Sequence, residues 1–138
     1  LAEVQSQYNS GQYAEAAQAA GKALAEGEFD EAWPVLKIRS ELAMGAYAEA
    51  RASFEAGLQT HPTSLAVRLA GRAAYLHTNE PQQAEQQLAS IQALAEQSPW
   101  RYSDAASRVL VGRSLLLGGA EPRQVLELLY DKARQERP

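Results

Sequence analysis

The chain reads as an all-α protein made of about four stacked helical hairpins. Three observations carry that reading: a segment that returns after 34 residues, apolar residues spaced for one helix face, and a scarcity of β-branched residues beside abundant Ala, Leu and Gln. The returning segment is GQYAEAAQAAGKAL at 11–24, which reappears as GAYAEARASFEAGL at 45–58. Six of its fourteen positions are identical, pairing Gly11 with Gly45, Tyr13 with Tyr47, Ala14 with Ala48, Glu15 with Glu49, Ala16 with Ala50 and Leu24 with Leu58.

Each element follows from local signals. Helices are predicted at 2–10, 13–26, 29–44, 47–60, 63–77, 81–97, 101–117 and 122–135. Gly11 and Gly45 end an apolar stretch, and Tyr13 and Tyr47 open the next one. Ala50, Phe54 and Leu58 recur at every fourth residue, the spacing of one helical face, until Pro62 stops the run. The unit is therefore helix, tight turn, helix, Pro. Later units are more degenerate, yet NEPQQAEQQL (79–88) and AEPRQVLELL (120–129) echo each other, with Pro81 and Pro122 placed where a first helical turn tolerates a missing N–H. The opening helices align as LKIRSELAMG (36–45), LAGRAAYLHT (69–78) and LVGRSLLLGG (110–119), at offsets of 33 and then 41. The extra residues fall in or after the sixth helix, where Pro99 in EQSPWRYSD marks a break.

A 34-residue period with Gly, Tyr, Ala, Phe and Pro in this order resembles the tetratricopeptide repeat. That resemblance implies a right-handed α-solenoid forming one repeat domain over 1–138, with repeats at about 1–28, 29–62, 63–99 and 100–138. It also implies that Ala16, Ala50 and Ala84 are small so that the two helices of a hairpin can touch, and that Phe54 and Pro62 fill the core and turn the chain. The repeats are similar to those of large bacterial multi-repeat proteins. Because Gly11 aligned with Gly45 leaves a short first helix, and no polar capping helix follows the last hairpin, the expectation is an excerpt from a longer array. Its open apolar ends, at Leu1 and near Leu126, Leu129 and Tyr130, would then favour self-association.

Composition narrows the function classes. A net charge of -4 offers no basic field for phosphate backbones, which argues against nucleic acid. No apolar run approaches the roughly 18 residues of a membrane span. With no Cys there is no thiolate nucleophile and no Cys-based zinc site. His61 and His77 are the only histidines and have no metal-binding spacing, so no metal or other cofactor is expected. No nucleophile elbow or phosphate loop is present, and paired carboxylates such as Glu26 with Glu28, or Glu28 with Glu31, fall in a connecting turn. The expectation is a protein without chemistry of its own.

The candidate binding residues lie on the aligned opening helices. Arg39, Arg72 and Arg113 occupy one place in three of them, each flanked at three and four residues by large apolar side chains. In tetratricopeptide arrays this face lines the concave groove, so the resemblance makes Leu36, Arg68, Leu69, Tyr75, Leu110 and Leu116 its other lining residues. Guanidinium groups on an apolar floor suit a carboxylate-bearing peptide. The alternative is that the arginines lay their stems on the groove wall and pair with neighbouring carboxylates. The family's clamp for C-terminal carboxylates also needs Lys and Asn, and here those places hold Gln, Val, Leu and Ala. Lys37 and Glu41, at i and i+4, read as an exposed ion pair on the opposite side of their helix. Trp33 and Trp100 sit beside Pro residues and read as packing aromatics, with Tyr102 and Tyr130 as further candidates.

The functional expectation is a non-catalytic scaffold that holds a peptide or partner domain in its groove. The competing reading is an intramolecular spacer or self-association element of a larger protein.

Overall fold

A computed structural model describes residues 1–117, and the helix expected at 122–135 lies outside them, as do Leu126, Leu129 and Tyr130. Seven helices occupy the described residues: α1 (Ala2–Asn9), α2 (Tyr13–Ala25), α3 (Ala32–Ala43), α4 (Tyr47–Thr60), α5 (Leu65–His77), α6 (Pro81–Gln97) and α7 (Ala105–Leu117). The chain forms two compact units, one spanning Leu1–Ala84 and one beginning at Glu85.

The hairpin turns repeat one backbone device. After α3, Gly45 N–H donates to Leu42 O (3.1 Å) and Ala46 N–H to Glu41 O (2.8 Å), which closes the helix with two otherwise orphaned carbonyls satisfied. This geometry demands a left-handed residue, supplied by Gly45 at φ +77° and by Gly11 at φ +82°. Asn79 fills the same role at φ +59°, another 34 residues on, and Glu80 N–H again reaches back, to Tyr75 O. The period thus continues through a turn that has lost both Gly and Tyr.

Three helix starts, those of α3, α5 and α7, have a side-chain acceptor at the first turn. Asp30 Oδ1 accepts from Ala32 N–H at 2.9 Å, so α3 begins at Ala32 rather than at 29. Ser64 Oγ accepts from Val67 N–H and opens α5. Asp104 Oδ2 accepts from Ser107 N–H at 3.0 Å and opens α7, displacing its start from the expected 101 to 105.

In the first unit each helix packs on the next, and the opening helices also touch one another, α1 on α3 and α3 on α5. No such contact joins α2 to α4. The stack is therefore tight along α1, α3 and α5 and open between α2 and α4. Helix α3 feeds two apolar clusters: Trp33 and Leu36 join Val4, Ala16, Ala20 and Ala23, while Val35 and Ile38 join Phe54, Val67, Ala74 and Tyr75. Ala16, Ala50 and Ala84 are all buried. Phe54 is fully buried with its ring pressed on α5 at Gly71, where an added Cβ would lie 2.2 Å from that ring. Adjacent hairpins are stitched at their loops as well: the Phe29 carbonyl lies 2.6 Å from His61 Nε2, and Ser64 Oγ donates to Glu31 Oε2 at 2.5 Å.

The second unit contains most of α6 and all of α7, with Leu88, Ile91, Tyr102 and Val111 buried. Trp100, expected to pack, is instead 73% exposed. It stands in the turn closed by Arg101 N–H on Ser98 O, and it is Tyr102, two residues on, that is buried.

Candidate functional site

Of the residues singled out above, Leu36 and Arg39 lie on α3, Arg68, Leu69, Arg72 and Tyr75 on α5, and Leu110, Arg113 and Leu116 on α7. On α3, Ala32, Val35, Leu36 and Arg39 fall at i, i+3, i+4 and i+7, one helical stripe. On α1, Gln5, Tyr8 and Asn9 form the facing stripe. Together they line a cleft of about 280 Å³. Tyr8 is steadied there by an edge-on contact with Tyr13, ring centroids 5.4 Å apart. Leu36 is buried against Trp33 and the alanines of α2, so it forms the cleft's floor rather than an exposed wall.

Arg39 is exposed at the cleft and forms no hydrogen bond or ion pair among the described residues. Arg72, its counterpart on α5, is half-buried and equally unpaired among them. This disposes of neighbouring carboxylates as their partners there. Arg68 differs: its Nε and Nη2 donate to the Pro62 carbonyl at 3.2 and 2.8 Å, so it braces the turn before α5. Leu69 is half-buried beside it.

Tyr75, expected in the groove, is a core residue. At three residues past Arg72 it lies with Gly71 and Ala74 on the inward side of α5, and its ring meets Phe54 edge-on at 5.5 Å. Leu76, one residue on, takes the outward place. Burial pushes the Tyr75 phenol above its usual range, Glu55 adds to that, and the Arg51 guanidinium, 6.0 Å from the ring centroid, partly opposes it. Arg51 is itself held between Glu55 (3.2 Å) and Glu80 (3.1 Å). In the second unit Arg113 and Leu116 are exposed and Leu110 is half-buried on α7; Arg113 has no partner among the described residues.

Lys37 and Glu41 correct another expectation. They do pair, at 3.1 Å, but Glu41 is buried and both reach Ser53 on α4: Lys37 Nζ donates to Ser53 Oγ, which donates to Glu41 Oε1, each at 2.5 Å. The pair sits between two helices instead of in water. A second cavity, about 300 Å³, opens near it between the end of α2, the following loop and α4. Its only cation, Lys37, is already satisfied, so the Arg39 cleft is the one with charge to spare. Tyr47 stacks flat on His77 at 4.4 Å, a pairing that sequence spacing does not announce.

Among the described residues no three His, Asp or Glu side chains gather as a metal site, and no helix is long and apolar enough to cross a membrane. No curated protein matches the chain. Among solved structures, the type III secretion translocator chaperone SycD of Yersinia enterocolitica, crystallised as an alternative dimer, is similar at a TM-score of 0.63 and 20% identity; the match covers 86% of this chain and 90% of that one. Residues 41–108 match the family model of the tetratricopeptide repeat. Hairpins kept in step by turns at 11, 45 and 79, with a buried alanine in each, agree with that match, and the segment 41–108 belongs to the tetratricopeptide-repeat family.

Proposed function

We propose that the chain is a protein-interaction scaffold whose α1, α3 and α5 face holds an acidic peptide segment. The observation that carries this reading is Arg39: an exposed guanidinium with no partner among the described residues, at the edge of a cleft floored by Leu36 and Val35. A side chain built only for stability would be expected to find a carboxylate, as Arg51 does twice. Arg72 extends the unpaired charge to the next opening helix. An apolar floor takes up side chains, and guanidinium forks select carboxylates through paired, charge-assisted hydrogen bonds.

The test is a titration of fluorescein-labelled peptides, acidic against amide-matched neutral, followed by anisotropy at low and high salt. Acidic peptides should bind more tightly and weaken as salt screens the contact. Arg39→Ala and Arg72→Ala should each weaken binding by about 1.5–3 kcal/mol, the range for a charge-assisted contact. Equal affinity for both peptides, or no change in either variant, would overturn the reading.

A further inference from the structure

The same molecule carries a segment whose chemistry complements this cleft. The loop between α2 and α3 reads Glu26-Gly27-Glu28-Phe29-Asp30-Glu31, four carboxylates around one aromatic ring. Phe29 is 81% exposed, more than any other large apolar residue described. Burial is worth about 25 cal/mol per Å² of apolar surface, so a phenyl ring held in water is a standing incentive for association.

The loop is built to hold that ring out. Gly27 adopts φ +86°, Glu28 N–H returns to Ala23 O at 3.0 Å, and Asp30 caps α3. The Phe29 carbonyl is tied to His61 and the Glu31 carboxylate to Ser64. With its backbone pinned, the loop presents Phe29 in a fixed place, while Glu26 and Glu28 stay exposed and unpaired among the described residues. Little ordering entropy remains to be lost on binding.

We propose that the partner of the Arg39 cleft is the Phe29 loop of a second copy of this chain. Phe29 enters the α1–α3 cleft over Leu36, and Glu28 meets Arg39. The inference rests on the groove reading above and names its occupant. A copy cannot use its own loop, because that loop is pinned at the start of the same helix that carries Arg39. The contact joins two different surfaces, so it is heterologous: each copy offers one loop and one cleft, and association runs head to tail.

Sedimentation velocity from micromolar to millimolar protein, at 50 and 500 mM NaCl, tests this. The chain should associate progressively at low salt, at least tenfold more weakly at high salt. A cleft variant, Arg39→Glu, and a loop variant, Phe29→Ser with Glu28→Gln, should each be monomeric, with helical circular dichroism checking that both fold. Mixed one to one, they should form a heterodimer that stops at two, because one good loop and one good cleft remain. A monomeric wild-type chain that still binds acidic peptides through Arg39 overturns the self-docking and leaves the groove reading intact. Association that survives in either variant, or mixing that restores nothing, overturns it too. Loss of acidic-peptide binding alongside intact head-to-tail pairing would instead sink the general groove reading.

Discussion

Helix α3 carries two cations two residues apart, and the structure treats them in opposite ways. Lys37 points between helices, where Glu41 and Ser53 close around it and only 28% of its side chain meets water. Arg39 points to the α1 side, exposed and unpaired among the described residues. One helix thus has a finished face and an unfinished one. On the finished face Lys37, Glu41 and Ser53 match one another's charges and hydrogen bonds. The other leaves a cleft and a charge, which is what binding requires and folding does not.

The largest expected effect lies on the finished side. Phe54→Ala would empty the space between α4 and α5 and lower stability by about 3–5 kcal/mol, read from urea midpoints. A loss below 1 kcal/mol would mean that the face is not closed in the sense described.

Next comes the polar closure. Glu41→Ala leaves Lys37 and Ser53 with unmatched groups beside the core and should cost about 1–3 kcal/mol. Replacing both members together, Lys37→Met with Glu41→Leu, should recover much of that, since an apolar pair of similar volume avoids the desolvation penalty of the ions. If the double variant is as unstable as the single, the network contributes more than charge matching.

Arg39→Ala tests the other face. Its unfolding free energy, read from urea midpoints, should stay within about 0.5 kcal/mol of the wild-type chain, the range for surface changes that break no contact. A marked destabilisation would erase the distinction between the two faces, whatever the variant does to peptide binding.

The smallest effect is on pH. The Tyr75 phenol is held above its usual range by burial and then by Glu55, so the folded state favours the neutral form. The unfolded phenol ionises near pH ~10. The stabilisation is therefore complete below that pH and is lost as pH rises from there through the folded value. Urea midpoints at pH 9 and pH 11 should show a smaller alkaline loss in Tyr75→Phe than in wild type, and equal losses would remove Tyr75 from the account.

Much of this architecture can be read from the residues alone. The bounds of the described helices fall within about four residues of expectation, and the departures of α3 and α7 have local causes: Asp30 and Asp104 cap their helices later than periodicity indicates. Periodicity also places Arg39 and Leu36 on one stripe. What it cannot give is the neighbour across the gap. Lys37 and Glu41 have the same i, i+4 spacing whether solvated or enclosed, and the deciding group is Ser53, twelve residues away on another helix. Tyr75 and Leu76 are adjacent apolar residues, and only the packing of Phe54 decides which turns inward. Phe29 gave no periodic signal, because it belongs to a loop.

The left-handed turn residues at 11, 45 and 79 impose a grammar on change. An insertion or deletion of one whole 34-residue period between them adds or removes a layer and leaves every remaining interface in phase. A slip of one residue inside a helix rotates everything after it, up to the next turn, by about 100°, trading buried stripe for exposed. Evolution of such a chain is free to lengthen in whole steps and is penalised for fractions of one, so its length is quantised by its turns.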